Sequence, residues 1–394
     1  MAWEVIWALP NIELDESVES CTYALVPPTD QRIRMLVRQH PNCRIFLRRF
    51  RDTHREHLSP TLIIRRADAP DHLKLADAAA SFRDILVAAT VPLARSWDIV
   101  HDNTLDRVRY SSFFWIHPWM LDRNYEYMIA HTPALLGLHS IDRFLGHSSP
   151  ELSPLHLRRR HFDEPLLQEL LVRWTARYNT RAPEWADVAL FRSLNMMNQA
   201  CLIPAGQDIV IHDYGRMIAL WIAAFEILAH PGEKGRVGLG EVFDLLQRIP
   251  WIVRTCGHRR YKIWHKNNNE RRNVACWVYK KMYDSRNRFF HGNPVTHKDL
   301  KLTISGRYLS SHSATLYRLA LSGFLDLKLK DPIPNVDNVE ECAAHVDRRN
   351  VFTAPQKTCE KALKLCRISV EEQRRIRELE MAEAARHVRW GGRD

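Results

Sequence analysis

The sequence predicts an α+β protein: a mixed α/β segment first, then an all-α helical bundle, then a charged tail helix. Three observations carry this. Short β-prone runs bounded by Pro, Asn and Asp are confined to residues 1–155. After a proline-rich stretch, apolar residues recur at helical rather than alternating spacing to about residue 330. Past Pro332 the chain turns polar and ends in a run dense in charge. The expected units are therefore 1–155, 158–330 and 331–394.

Size and composition narrow the classes. A chain of 394 residues is long enough for two sizeable cores. The opening MAWEVIWALPNIELDESVES has acids where a secretory leader needs a basic and then an apolar run. No window approaches a membrane span. The expectation is a cytoplasmic protein with no membrane partner. A formal net charge of +11 and a pI near 9.3 favour polyanionic partners, RNA among them, and would equally suit an acidic protein or a membrane surface. Eight cysteines form no CxxC pair and read as reduced, partly buried thiols.

In the first unit, strands are expected at Glu4–Leu9, Cys21–Val26, Arg44–Phe50 and Thr61–Arg65. A helix is expected over HLKLADAAASFRDILVAATVP, His72 to Pro92, with Leu75, Ala79, Phe82 and Leu86 at helical spacing. The aromatic run from Tyr110 reads as a strand broken at Pro118. No chemistry can be placed in this unit, and a sensing or restraining role is its expected part. Ser148–Pro165 reads as a linker ending in a basic cluster.

Five helices follow. Pro165 opens the first, whose core stripe is Leu166, Leu167, Leu170, Leu171, Trp174 and Tyr178. Pro183 opens the second, with Trp185, Val188, Phe191 and Met197 inward. The segment from Asp213 to Pro231 is apolar over most of its circumference. A shorter helix covers Leu239–Ile249, and a last one starts at Thr315. Between Ile249 and Val274 lies an insertion, RTCGHRRYKIWHKNNNERRN, without a motif. Near the end, Ser369 with Glu372 forms a capping box before a helix charged nearly all round. That helix is expected to be solvated or to face a protein partner.

The remaining helix, Val274 to His291, is where chemistry is concentrated. At about 100° per residue, Val274, Val278, Met282 and Phe289 share one stripe. Lys280, Asp284, Asn287 and His291 share the opposite one, with Arg286 at its edge. Gly292 and Pro294 stop the helix. An ordinary amphipathic helix with a solvated face has the same pattern. His291 adds something, because a helix C-terminus favours imidazolium by roughly 0.3–1 kcal/mol, and a histidine near neutrality suits proton transfer.

RNRFFH, Arg286 to His291, followed by Gly292, resembles the RxxxxH motif of HEPN-domain ribonucleases, most closely the Apea-like branch. The resemblance covers roughly residues 158–330 and implies a HEPN-like bundle there. It implies a metal-independent endoribonuclease with no cofactor, working in antiviral defence or a toxin-like system. His291 would act as base or acid, Arg286 would neutralise phosphorane charge, and Asn287 would orient the ring or a phosphate oxygen. One histidine cannot easily serve both proton transfers, so a homodimer with two motif helices across one groove is implied. Lys280 would add positive potential there, and apolar contacts near Tyr283 and Phe290 would offset the like charges.

Glu226, on a nearly all-apolar helix beside Ala219 and Ala223, wants a cation, and Arg286 is the obvious one. The family has a glutamate in a comparable WxxAxE helix. A glutamate reaching solvent would fit as well. The alternative function is a non-catalytic RNA-binding or scaffold protein with the same fold. Cys256, His258, His265 and Cys276 have zinc-ligand types without paired spacing. The glycine-rich HPGEKGRVGLGE from His230 matches no phosphate-binding motif, and no GxSxG occurs.

Overall fold

A computed structural model describes residues 2–101, 107–122, 124–132, 134–149, 152–202, 210–232, 235–265, 268–329, 353–376 and 378–379. The chain is a mixed α and β protein. Strands β1 (Trp3–Leu9), β2 (Ile12–Leu14), β3 (Val18–Glu19) and β4 (Tyr23–Val26) precede helices α1 (Gln31–Gln39) and α2 (Pro41–Arg48). Strands β5 (Phe50–Arg51) and β6 (Thr61–Arg66) then lead to the long helix α3 (Ala76–His101). An antiparallel sheet runs in the order β1-β6-β4-β3.

Alternation along these strands serves two cores at once. Tyr23, Leu25 and Ile63 face α3, whereas Ala24, Val26, Leu62 and Ile64 face a cluster with Ile33, Leu36, Cys43 and Phe46 of α1 and α2. The strand expected at Arg44–Phe50 is therefore mostly helix. Pro41 sits at its first turn, and Cys43 and Phe46, three apart, are its buried face. Strands β7 (Trp119–Leu121), β8 (Tyr127–His131) and β9 (Leu136–Ser140) form a meander over that second cluster. Of the aromatic run from Tyr110, the part before Pro118 holds a 3₁₀ turn, Ser111–Phe114, rather than a strand, and the part after it is β7.

Helix α3 continues through Pro92 instead of ending there. An interior proline costs about 3 kcal/mol. Here the flanking turns are buried on nearly every side, and Ser96 Oγ donates to the Pro92 carbonyl at 2.7 Å. α3 packs against α4 (Glu164–Tyr178), α5 (Trp185–Leu202) and α10 (Leu309–Phe324), so one core runs from the sheet into the helices. The expected linker is tied back into the fold. Strand β10 (Gly146–His147) pairs with β5, and β11 (Leu155–Leu157) pairs in parallel with β2. Asp163 is wholly buried against Arg318, 2.6 Å from its Nε.

All six stripe residues expected on α4 are buried. Helices α6 (Ile211–Leu228), α7 (Leu239–Gln247) and α9 (Val274–Phe290) lie close to their expected places. The insertion forms a short helix α8 (Arg254–His258) and an antiparallel hairpin, β12 (Tyr261–His265) with β13 (Asn268–Arg272). α10 starts at Leu309, earlier than Thr315, and touches α3, α6, α7 and α9.

A further helix, 353–364, precedes the Ser369 cap, and the polar connection expected there is not continuous. Its Cys359 and Leu363 join the main core, and Glu360 accepts from the Ile252 and Val253 amides at 2.9 and 2.6 Å. Ser369 Oγ accepts from the Glu372 amide as the capping box requires. The start of the tail helix is not solvated all round: Gln373 is buried and donates to the Ile99 carbonyl at 2.8 Å. Ile376 and Leu379 are exposed, and the rest of the expected tail lies outside the described residues. No helix among the described residues is long and apolar enough to cross a membrane.

Candidate functional site

The site is built on α9, whose two ends are fixed by backbone chemistry. At the start, the Asn273 side chain accepts from the Cys276 amide and donates to the Leu246 carbonyl, both at 3.0 Å. At the end, Gly292 takes φ +71°. The Gly292 and Asn293 amides return to the Phe289 and Arg288 carbonyls at 3.4 and 3.1 Å. These two bonds form a Schellman closure, which makes His291 the C-cap. The imidazole is exposed there.

α6 and α9 run antiparallel, with Phe289 against Gly215 at one end and Phe225 against Tyr279 at the other. Side chains lean toward the N-terminus of their own helix. Glu226 and Arg286 therefore lean toward each other, and the Arg286 guanidinium meets the Glu226 carboxylate at 2.9 Å. The ion pair anticipated from sequence is present. The guanidinium also lies 4.9 Å from the centre of the Tyr283 ring. Burial pushes the Glu226 carboxyl up, and Arg286 only partly opposes it. The buried Tyr279 hydroxyl beside them has no hydrogen-bond partner among the described residues; burial, then the Glu226 charge, raises it well above the usual phenol range.

Asn287 and His291 look elsewhere. They line a cleft of about 840 Å³ between α9 and the chain that follows it, together with Lys281, Arg288, Lys298, Lys301 and Arg367. Two carboxylates, Asp284 and Asp299, share the lining. Asp284 pairs with Lys280 at 2.5 Å and Asp299 with Arg288 at 2.6 Å. The Thr296 amide and hydroxyl, then the Arg288 cation, hold Asp299 below the usual carboxylate range. Ser285 also lines the cleft, and its buried hydroxyl has no partner among the described residues.

The predicted residues thus divide. Asn287 and His291 share the cleft; Arg286, Glu226 and Tyr283 share the contact with α6; Lys280 is held by Asp284. Phe289 is half-buried rather than on the buried stripe, with its ring where a Cβ on Gly215 would stand. Phe290 is 61% exposed. Lys298, Lys301 and Arg367 had no signal in the sequence, because a loop and a distant C-terminal segment bring them in. The basic KK pair at Lys280–Lys281 was the one local hint.

The zinc-type residues are dispersed. Cys256 donates to the Glu360 carbonyl, Cys276 to the Phe243 carbonyl, and His265 bonds Glu270. Among the described residues no group of three or more metal-ligand types is placed to hold an ion. Comparison with protein-family models, curated proteins and solved structures finds no match.

Proposed function

We propose that this chain is an endoribonuclease of the HEPN type, cleaving RNA through the substrate's own 2′-hydroxyl without a metal. The observation that carries the reading is His291, fixed as a helix C-cap and opening with Asn287 onto a cleft with five lysines and arginines against two acids. Such a cleft attracts a phosphodiester backbone without reading sequence. In the reaction, the 2′-oxygen forms a bond to phosphorus as the bond to the 5′-oxygen breaks. One proton leaves the 2′-hydroxyl and one reaches the leaving oxygen. His291 would serve one of these transfers, worth about 10²–10⁴ in rate.

A second imidazole would come from a second copy. A homodimer about a two-fold axis near the α9 C-terminus would set two His291 and two Arg286 side chains around one groove. The exposed Phe290 and half-buried Tyr283 support that contact. The helices α4, α5, α6, α9 and α10 would then be the HEPN-like bundle, and residues 1–155 a sensing part. Antiviral defence or a toxin-like system would be the setting.

The second reading is a non-catalytic RNA-binding or scaffold protein. It is favoured by one observation, that Arg286 is held by Glu226 and does not line the cleft. Purified chain incubated with total RNA in EDTA separates the two. Cleavage that disappears in His291→Ala supports the enzyme. Binding without cleavage supports the scaffold.

A further inference from the structure

The insertion before α9 accounts for a large share of the molecule's charge. Residues 254–272 hold seven lysines and arginines against one acid, Glu270, which is six of the chain's net eleven positive charges. The hairpin sorts its residues strictly by face. Tyr261, Ile263 and His265 face inward, with Ile263 buried, His265 edge-on to Phe243 and Tyr261 6.0 Å from Trp277. Lys262, Trp264, Asn269 and Arg271 face outward, and the pairs Lys262–Arg271 and Trp264–Asn269 are cross-strand neighbours. All four are exposed, Trp264 by 58%. Among the described residues, the Trp264 ring contacts no other ring and no cation.

A bare indole one rung along the hairpin from a pair of cations has a definite chemistry. Every base has a π-face, and aromatic side chains in basic surroundings bind unpaired bases by stacking while the cations hold the backbone. An anionic membrane surface would also accept cations and a tryptophan, but interfacial binding needs a broad apolar face. Here the remaining outward neighbour is Asn269, so Trp264 stands alone.

The hairpin also adjoins the cleft. Arg367 lies 5.4 Å from the Tyr261 ring and 4.8 Å from the Trp277 ring, and both Arg367 and Trp277 line the cleft. From Trp277 to His291, α9 spans about 21 Å at 1.5 Å per residue, roughly six stacked nucleotides at 3.4 Å each.

We infer that the β12–β13 hairpin is a docking site for single-stranded RNA, in which Trp264 stacks an unpaired base while the neighbouring Lys262–Arg271 pair holds the backbone. The inference rests on the ribonuclease reading and names the form of its substrate. A base paired in a duplex has no free face for the indole, so unpaired RNA is selected.

The test uses the full chain carrying His291→Ala, which holds RNA without cutting it, and a fluorescein-labelled twelve-nucleotide oligouridylate followed by anisotropy. Adding Trp264→Ala should weaken binding by roughly 5- to 150-fold. Trp264→Phe should recover most of it. Lys262→Gln with Arg271→Gln should lower the salt slope by about 1.4, the share of two phosphates on a single strand. An unchanged affinity in Trp264→Ala, with the melting temperature also unchanged, overturns the docking site and leaves the ribonuclease reading standing. If Trp264→Ala spares RNA but abolishes binding to phosphatidylcholine–phosphatidylserine vesicles, the hairpin is a membrane element and the inference is wrong. A parent chain that binds no RNA removes both readings.

Discussion

The Arg286–Glu226 pair allows structural and chemical roles of the motif arginine to be separated. Arg286→Ala leaves the Glu226 carboxylate, only 24% exposed, without its cation. A buried group stripped of its partner costs about 1–3 kcal/mol, and the lost contact with Tyr283 adds about 0.5–1 kcal/mol. At about 2–4 °C per kcal/mol for chains of 150–250 residues, and less for a longer one, melting should fall by a few degrees. This differs from the neutral outcome that the position of Arg286 off the apolar stripe would suggest. Glu226→Gln should behave oppositely. Because burial outweighs Arg286 in setting the Glu226 carboxyl, its folded pKa lies above the unfolded value. Its contribution is therefore present below about pH 4.5 and lost as pH rises through the folded value. A neutral amide should then be neutral or slightly stabilising at pH 7. The double variant Arg286→Ala/Glu226→Gln should regain most of the lost stability, and thermal melts of the four proteins close the cycle. Cleavage of labelled RNA should be absent in both proteins lacking Arg286. If the double variant recovers cleavage together with stability, the arginine is only a structural partner and its catalytic role is refuted.

Three other outcomes are expected. Phe289→Ala should destabilise by about 2 kcal/mol, below the 3–5 kcal/mol of a fully buried phenylalanine, and Gly215→Ala should destabilise too, since its Cβ would stand 2.4 Å from that ring; denaturant melts measure both. Tyr283→Arg should shift the chain towards monomer and lower cleavage together, and a fully active monomer by light scattering would sink the composite groove. Burial pushes His117 and His312 down to about 3, so each supports the fold above about pH 6.5 and withdraws that support as pH falls toward 3; His312→Phe should flatten the acid limb of a stability–pH curve.

Where the sequence could be read, one element supplied its own signal. The stripe on α4 repeats a single period, and each of its six residues is buried. The Glu226–Arg286 pair was legible because a glutamate on an apolar helix has few ways to be satisfied. Elsewhere a distant partner decided. Pro92 looks like a helix end until both flanking turns are buried against three other helices. Arg44–Phe50 has strand-forming residues, but Cys43 and Phe46 need one face, which only a helix provides. The cleft was least legible of all: Arg367 comes from a segment that reads as polar, and Glu360, through the Ile252 and Val253 amides, pins that segment in place.

α3 determines how any role of residues 1–155 can be tested. A cut at residue 155 removes the whole of this helix. Its buried residues include Phe82, Ile85, Leu86, Val87, Val91, Leu93 and Ile99. At about 1.5–3 kcal/mol for each large apolar side chain, these seven contribute roughly 10–20 kcal/mol. That equals or exceeds the roughly 5–15 kcal/mol by which a domain is stable at all. The loss also strips a hydrogen bond from the bundle itself, because Ser96 and Thr315 hydroxyls meet at 2.8 Å between α3 and α10. Residues 156–394 alone should therefore fail to fold, with no cooperative melt by circular dichroism. Lost cleavage in such a fragment would say nothing about sensing, and the role of the N-terminal part has to be probed by substitutions that leave α3 in place. A cooperative transition in the 156–394 fragment would show that the bundle closes without α3 and would overturn this account of the core.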